Sequence, residues 1–483
     1  MELTVNQKLQ QAIAAQKEGK IEEAEHLYKS ILKTQPKNEN ANHNLGILWV
    51  SQNKSADALP LFKTAVEIKT DIEQFWYSYS YTLIKEKKFE EAEAISRKAI
   101  KLNPRFPTIH FNLGFILHKL GKLKEAELSF QKAITLKPKI VEPYYNLGVT
   151  LQALGRIDEA STMYKKAIAL KPKFVEAHNN LGVVLKDMSR FVEAELSHKK
   201  AIEYKIDYAE AYRNLGEVQK LLGKAEESLS NFKYAYELKP DSDYLLGSLI
   251  NQKMNLCEWD DLTKNIFNLK ERINSGEKAS PPFQLLPLID DPNIHKKAAE
   301  IYSNDKFPKS KVFLKIPKYH NHQKIKIGYF SSDFCNHPTS YLSAELYENH
   351  DKEKFEIHAF SFGLDTKDEF NIRIKEGVDY FHNVQMMSDY EVVKLARSLE
   401  IDIAIDLKGF TGMSRQGIFA MSAAPIQVNY LGYPGTMAIN YLDYLIADHT
   451  LIPKDKQKYY SEKIIYMPDS YQPNLSQKNI FES

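Results

Sequence analysis

The chain has 483 residues, enough for two or three domains with cores of their own. Lys+Arg 65 against Asp+Glu 63 leaves a net charge of +2, which excludes wrapping of nucleic acid or adhesion to a membrane surface by bulk charge. Two cysteines, Cys257 and Cys335, make no disulfide framework and have no metal-ligand spacing, so a reducing compartment and no metal site are expected. The first twenty residues (MELTVNQKLQQAIAAQKEGK) form an amphipathic pattern without the apolar stretch of a signal peptide. No run approaches the ~20 apolar residues of a membrane span. A soluble, cytoplasmic protein is the expectation.

From residue 5 to residue 242 the chain repeats every 34 residues, seven times, without insertion. The twentieth position of each unit is small: Ala24, Ala58, Ala92, Ala126, Ala160, Ala194 and Ser228. So is the eighth: Ala12, Gly46, Ser80, Gly114, Gly148, Gly182 and Gly216. Helices that approach closely need such residues, since larger groups force the backbones apart. Tyr28, Phe62, Phe130, Tyr164 and Phe232 fill the twenty-fourth position, with Ser96 and His198 as departures. Pro36, Pro104, Pro138, Pro172 and Pro240 close the second helix of their units. Period and columns together resemble the tetratricopeptide family, which implies an α-solenoid with a concave binding surface.

Residues 243–275 still read as helix and are expected to cap the solenoid. Residues 276–322 form a junction broken by Pro281, Pro282, Pro287, Pro292, Pro308 and Pro317, with one short helix near 295–302. From residue 323 to 483, short runs rich in Ile, Tyr and Phe (324–330, 355–362, 401–407, 426–431 and 444–447) alternate with helical stretches such as 389–399. That alternation predicts a parallel sheet in a doubly wound α/β lobe, whose ligands bind at the carboxyl ends of the strands.

The loops after those strands carry unusual residues. SSDFCNHPTS (331–340) follows the first strand, DLKGFTG (406–412) the third and GYPGT (432–436) the fourth, while YSEKIIYMP (460–468) is read as a last loop. Read without context, Asp333 is a helix N-cap, His337 a structural histidine, and Gly432, Pro434 and Gly435 shapers of a tight turn. SSDF-x-NHPTS (331–340), API-Q-x-x-x-LGYPGT (424–436) and YSEK-x-x-YMP (460–468), in this order, resemble the N-terminal catalytic lobe of protein O-linked N-acetylglucosamine transferases, including bacterial and SPINDLY-type relatives. The resemblance implies a Rossmann-like lobe of a GT-B glycosyltransferase behind the solenoid. It implies that His337 faces sugar donor and acceptor, that Asp406 is a candidate base, and that Thr411 and Ile464 line the donor pocket with Tyr433 and Pro434 beside it. Tyr341 stands where the family often has a second histidine.

The implied donor is a nucleotide sugar, UDP-N-acetylglucosamine first, with no cofactor. The implied partners are protein acceptors, with neither nucleic acid nor membrane. The sixth position of the repeats supplies Asn44, Asn112, Asn146, Asn180 and Asn214, with Gln10 and Ser78 as departures. An amide both donates and accepts, so a ladder of amides can hold an extended peptide without reading its side chains. The other reading of this column is a consensus residue that bonds within its own repeat. The family's second lobe is not found before Ser483, so a second lobe from another chain or a homodimer is one expectation. A non-catalytic tetratricopeptide adaptor is the alternative to a transferase.

Overall fold

The computed structural model describes residues 4–309, 316, 319 and 322–474. It divides into two compact units, Met1–Val184 and Leu185–Ser483. The division falls inside the sixth repeat and does not coincide with the end of the period at residue 242.

In the first unit the period becomes helix pairs, from Val5–Lys17 with Ile21–Thr34 to Glu142–Ala153 with Ile157–Leu170. The small column is fully buried at Ala24, Ala58, Ala92, Ala126 and Ala160. Glycine at the eighth position is explained by the aromatic sixteen residues later. A Cβ on Gly46 would stand 2.7 Å from the Phe62 ring, and one on Gly114 or Gly148 would stand 2.7 Å from Phe130 or Tyr164. Where the third repeat has Ser96 in place of the aromatic, Ser80 replaces the glycine and both serines are buried. In this repeat the two positions change together, whereas the first sets Ala12 against Tyr28 and the sixth keeps Gly182 beside His198.

The turn between the helices of each pair carries one left-handed residue every 34 positions. These are Gly19, Asn53, Lys87, Gly121 and Gly155 in the first unit, then Ser189 and Gly223 in the second, with φ between 57° and 77°. Such a residue ends the first helix by turning its N–H and the next back onto the last carbonyls: Lys87 N–H donates to Ile84 O at 3.0 Å and Lys88 N–H to Leu83 O at 2.9 Å. A cation follows in every repeat. Lys122 reaches Glu93 at 2.8 Å and Arg156 reaches Glu127 at 2.7 Å, each tying a helix start to the preceding repeat.

In the second unit the repeat helices continue through Phe191–Tyr204, Ala209–Leu221 and Ala225–Leu238, followed by Leu245–Asn255 and Leu262–Asn274. The junction contains Pro282–Leu285 and a longer helix than expected, Pro292–Lys306, whose first turn is capped by the Asp291 side chain accepting from Asn293 N–H at 3.0 Å. Pro317 lies outside the described residues.

The lobe is a single sheet of seven parallel strands: β1 (Ile325–Ser331), β2 (Phe355–Ser361), β3 (Tyr380–Asn383), β4 (Ile403–Asp406), β5 (Ile426–Asn429), β6 (Tyr444–Ala447) and β7 (Lys463–Tyr466). Their order is β3-β2-β1-β4-β5-β6-β7. Alternate residues feed two cores. Phe330, Phe360 and Ala404 join one face, with Ala299 of the junction helix and Val392, Val393 and Ala396 of Asp389–Ser398. Ile327, Tyr329, Ile357, Ala359 and Ile405 join the other, against Ala344, Tyr347 and Ile374. β3 was not expected, and β7 replaces the expected loop at 460–468. No helix among the described residues is long and apolar enough to cross a membrane.

Candidate functional site

Strand order runs away from β1 in both directions, so β1 and β4 flank the topological switch point, where an open α/β sheet leaves a crevice beyond its carboxyl ends. Phe330 of β1 pairs with Asp406 of β4, and the chain leaves both strands within two residues of that pair. The loops 332–337 and 407–415 therefore start side by side.

Asp406 shapes the second loop. Its Oδ1 accepts from Lys408 N–H at 2.9 Å, and its Oδ2 accepts from Gly409 N–H at 3.0 Å and Gln416 Nε2 at 2.6 Å. The residue is 1% exposed. Burial pushes its carboxyl above the ordinary value, against the pull of Gln416 and the two backbone donors. Held by these three donors and buried from solvent, it braces the loop; the part of candidate base expected of it would need the carboxylate to reach the crevice.

The brace turns Lys408 toward β1. Its ammonium meets Asp333 Oδ2 at 2.6 Å, with side chains only 7% and 11% exposed. Asp333 Oδ1 accepts from Ser332 Oγ at 2.7 Å, and its carbonyl accepts from Ser340 Oγ. Asp333 is therefore not the helix cap. The cap of Pro338–Glu348 is His337, whose Nδ1 accepts from Thr339 N–H at 3.2 Å. The same Nδ1 lies 3.6 Å from Asp333 Oδ2, and the imidazole is 41% exposed, open to the crevice.

Thr411 belongs to the same place: it is half-buried, and its hydroxyl donates to Lys408 O at 2.8 Å. Tyr433 is buried, its ring 5.3 Å from Phe410, while half-buried Pro434 accepts from Tyr460 OH through its carbonyl at 3.4 Å. Tyr433 thus packs the loop after β5 onto the loop after β4, and Pro434 ties it to the segment before β7. Ile464 sits inside β7 beside Leu445 and packs on Leu445, Ala447 and Ile452. Three strand spacings separate β7 from β4, about 14 Å, so the fold does not bring Ile464 to His337.

Sequence reasoning missed two residues. Lys408 lies 75 positions from its partner, and its only signal is a lysine two residues beyond a buried strand. Glu462 is buried, and its carboxylate accepts from Thr436 Oγ1 and Met437 N–H, both at 2.7 Å. That bond joins the YSEK motif to the GYPGT loop, so the two motifs occur together for a structural reason.

The amide column divides. Asn112 and Asn214 are buried at 2% and 5% exposure, and Asn112 donates to Ser80 Oγ at 2.7 Å. Asn44, Asn146 and Asn180 are half-buried. Asn146 donates to Glu142 O at 2.9 Å and Asn180 to Tyr145 OH at 3.2 Å, which leaves their carbonyl oxygens for other bonds.

Residues 297–477 match Glycosyl transferase family 41. Residues 81–121, 116–155 and 151–189 match the TPR repeat, and residues 9–71 the tetratricopeptide repeat. The Arabidopsis thaliana protein named "Probable UDP-N-acetylglucosamine--peptide N-acetylglucosaminyltransferase SEC" is 38% identical over 158 residues, 32% of this chain and 16% of that protein. The UDP-N-acetylglucosamine--peptide N-acetylglucosaminyltransferase of Caenorhabditis elegans is 30% identical over 234 residues, 45% of this chain and 20% of that protein. The matched segments thus span a fifth or less of these relatives' length. A solved mutant of Thermobaculum terrenum O-GlcNAc transferase overlaps loosely, with a TM-score of 0.36 at 21% identity over 76% of this chain and 58% of that one. Tetratricopeptide repeats followed by a segment that matches Glycosyl transferase family 41 and carries the His337 loop make this chain similar to the UDP-N-acetylglucosamine--peptide N-acetylglucosaminyltransferases over the matched segments.

Proposed function

We propose that the chain acts in protein O-glycosylation, transferring N-acetylglucosamine from UDP-N-acetylglucosamine to Ser or Thr hydroxyls of protein acceptors. The observation that carries this reading is the meeting of His337, Asp333 and Lys408 at the β1/β4 switch point, inside the family 41 segment. The reaction forms a bond from the acceptor oxygen to the anomeric carbon and breaks the bond from that carbon to the diphosphate. It must dispose of the hydroxyl proton and stabilise the departing charge. His337 is the group at the crevice whose ring reaches solvent, so it touches the reacting oxygens. The N-terminus of Pro338–Glu348 adds the positive end of a helix dipole for phosphate, and Thr411 a hydroxyl. Asp406 and Tyr433 keep the loops in place. In the repeats, the amides of Asn44, Asn146 and Asn180 bind the acceptor backbone, while Asn112 and Asn214 act within the stack.

The test is calorimetry of the full chain with a panel of UDP- and GDP-sugars, alongside transfer of labelled sugar to a Ser/Thr peptide. Binding of UDP-N-acetylglucosamine with transfer that is lost in His337→Ala supports the proposal. If no nucleotide binds, but acceptor proteins do, the chain is an adaptor. Nucleotide binding that appears only when a second chain is added assigns the rest of the donor site to that partner.

A further inference from the structure

Lys408 has no direct contact with the reacting groups in the transfer reaction as proposed, yet it is a costly group to bury at the switch point. An ammonium with 7% of its side chain exposed carries a desolvation cost that a single short ion pair only offsets. What that pair does is read from the atom it occupies. Lys408 Nζ takes Oδ2 of Asp333 at 2.6 Å, and the same oxygen is the one 3.6 Å from His337 Nδ1. Thr339 N–H also points at Nδ1, from 3.2 Å.

Nδ1 can satisfy only one of these neighbours. To accept from Thr339 it must carry a lone pair, and the proton of a neutral ring is then on Nε2. To donate to Asp333 it must carry the proton, and the helix cap is lost. A carboxylate already neutralised by an ammonium is the weaker draw on that proton. The other charged group at this loop, Asp368, accepts from Asn336 N–H at 2.9 Å through its own Oδ2.

We infer that Lys408 is a positioning residue: by satisfying Asp333 Oδ2, it keeps His337 in the Nε2–H form, so the ring presents a hydrogen-bond donor to the crevice. The oxygen that receives this bond, on donor sugar or acceptor, rests on the transfer reading above. The form of the ring does not, and it is measurable without substrate.

The experiment is long-range 1H–15N correlation of the full chain labelled at histidine nitrogens, above neutral pH, with the His337 signal identified by its loss in His337→Gln. The wild type shows an unprotonated Nδ1 and a protonated Nε2. Lys408→Met moves the proton to Nδ1, and Lys408→Arg restores the wild-type pattern. The double variant Lys408→Met/Asp333→Asn, which removes both charges of the pair, folds where the single one does not and retains Nε2–H, because no carboxylate competes for the proton. A folded Lys408→Met with unchanged His337 nitrogens overturns the inference, as does a wild-type ring protonated at Nδ1. Absence of sugar transfer in the wild type removes the proposed function and leaves this result standing.

Discussion

Lys87→Gly should stabilise the first unit, although it removes a side chain and adds nothing. Lys87 holds φ at 57°, a conformation that costs an L-residue roughly 1–2 kcal/mol. Its side chain is exposed, and the two bonds that end the helix there, to Ile84 O and Leu83 O, are made by backbone N–H groups that glycine keeps. Glycine returns about 0.5–1 kcal/mol through its greater freedom in the unfolded chain. The lost surface charge is worth a few tenths. The net gain is therefore about 0.5–1 kcal/mol. The assay uses Trp76, buried in the same repeat with its indole N–H donating to Thr70 O at 2.9 Å; with Trp49 and Trp259 replaced by Phe in every variant, its fluorescence reports this repeat during urea unfolding. Gly121→Ala, at the equivalent turn with φ 74°, is the mirror control and should lose about 1 kcal/mol. If Lys87→Gly lowers the midpoint, or if Gly121→Ala leaves it unmoved, the left-handed turn is not what limits these positions.

Lys408→Met should cost about 3–5 kcal/mol by stranding the Asp333 carboxylate, and Asp333→Asn in the same chain should recover most of it; additive losses in a double-mutant cycle would refute a coupled pair. Asn146→Ala and Asn180→Ala should weaken acceptor binding in calorimetry with unchanged circular dichroism, whereas Asn112→Ala should cost about 1–3 kcal/mol of stability by removing the buried bond to Ser80 Oγ and emptying its site. Gly148→Ala should cost about 1–3 kcal/mol by forcing the Tyr164 ring aside, read as a lower thermal midpoint, and Tyr164→Leu in the same chain should relieve part of it. Burial alone would raise the Glu195 carboxyl, but bonds from Lys199, Lys224 and Gln219 hold it down to about 2, against an ordinary 4.5. Its stabilising contribution is thus complete above about pH 4.5 and lost as pH falls toward 2, and Glu195→Gln should flatten the urea midpoint across that window.

The period was legible because each of its columns has one steric task, and that task repeats without change in length. Five of seven strands were legible as apolar runs. β3 and β7 were not, because each has only four residues at the outer side of the sheet, where Tyr380, Lys463 and Ile465 are exposed and the burial signal fades. Motif loops located the candidate site, but residue roles inside them were not readable. Whether Asp333 caps a helix or receives a lysine depends on a strand neighbour 75 residues away. Whether Asp406 is a base or a brace depends on which donors surround it. In the same way, asparagines identical in sequence divide into buried and half-buried by the neighbouring repeat: Asn112 meets Ser80, which is itself there because Ser96 replaced an aromatic.

The left-handed turn recurring every 34 positions also defines what can be exchanged. Each such turn lies between a glycine and its ring, Asn53 between Gly46 and Phe62 and Gly155 between Gly148 and Tyr164, so a cut at the turns parts every such pair. A cut between units, near Pro36, Pro104 or Pro138, keeps each glycine with its own aromatic. The reach from Lys122 to Glu93 or from Arg156 to Glu127 spans 29 positions and crosses from one unit to the next, so an exchanged unit must bring its acid and its cation at the same two positions.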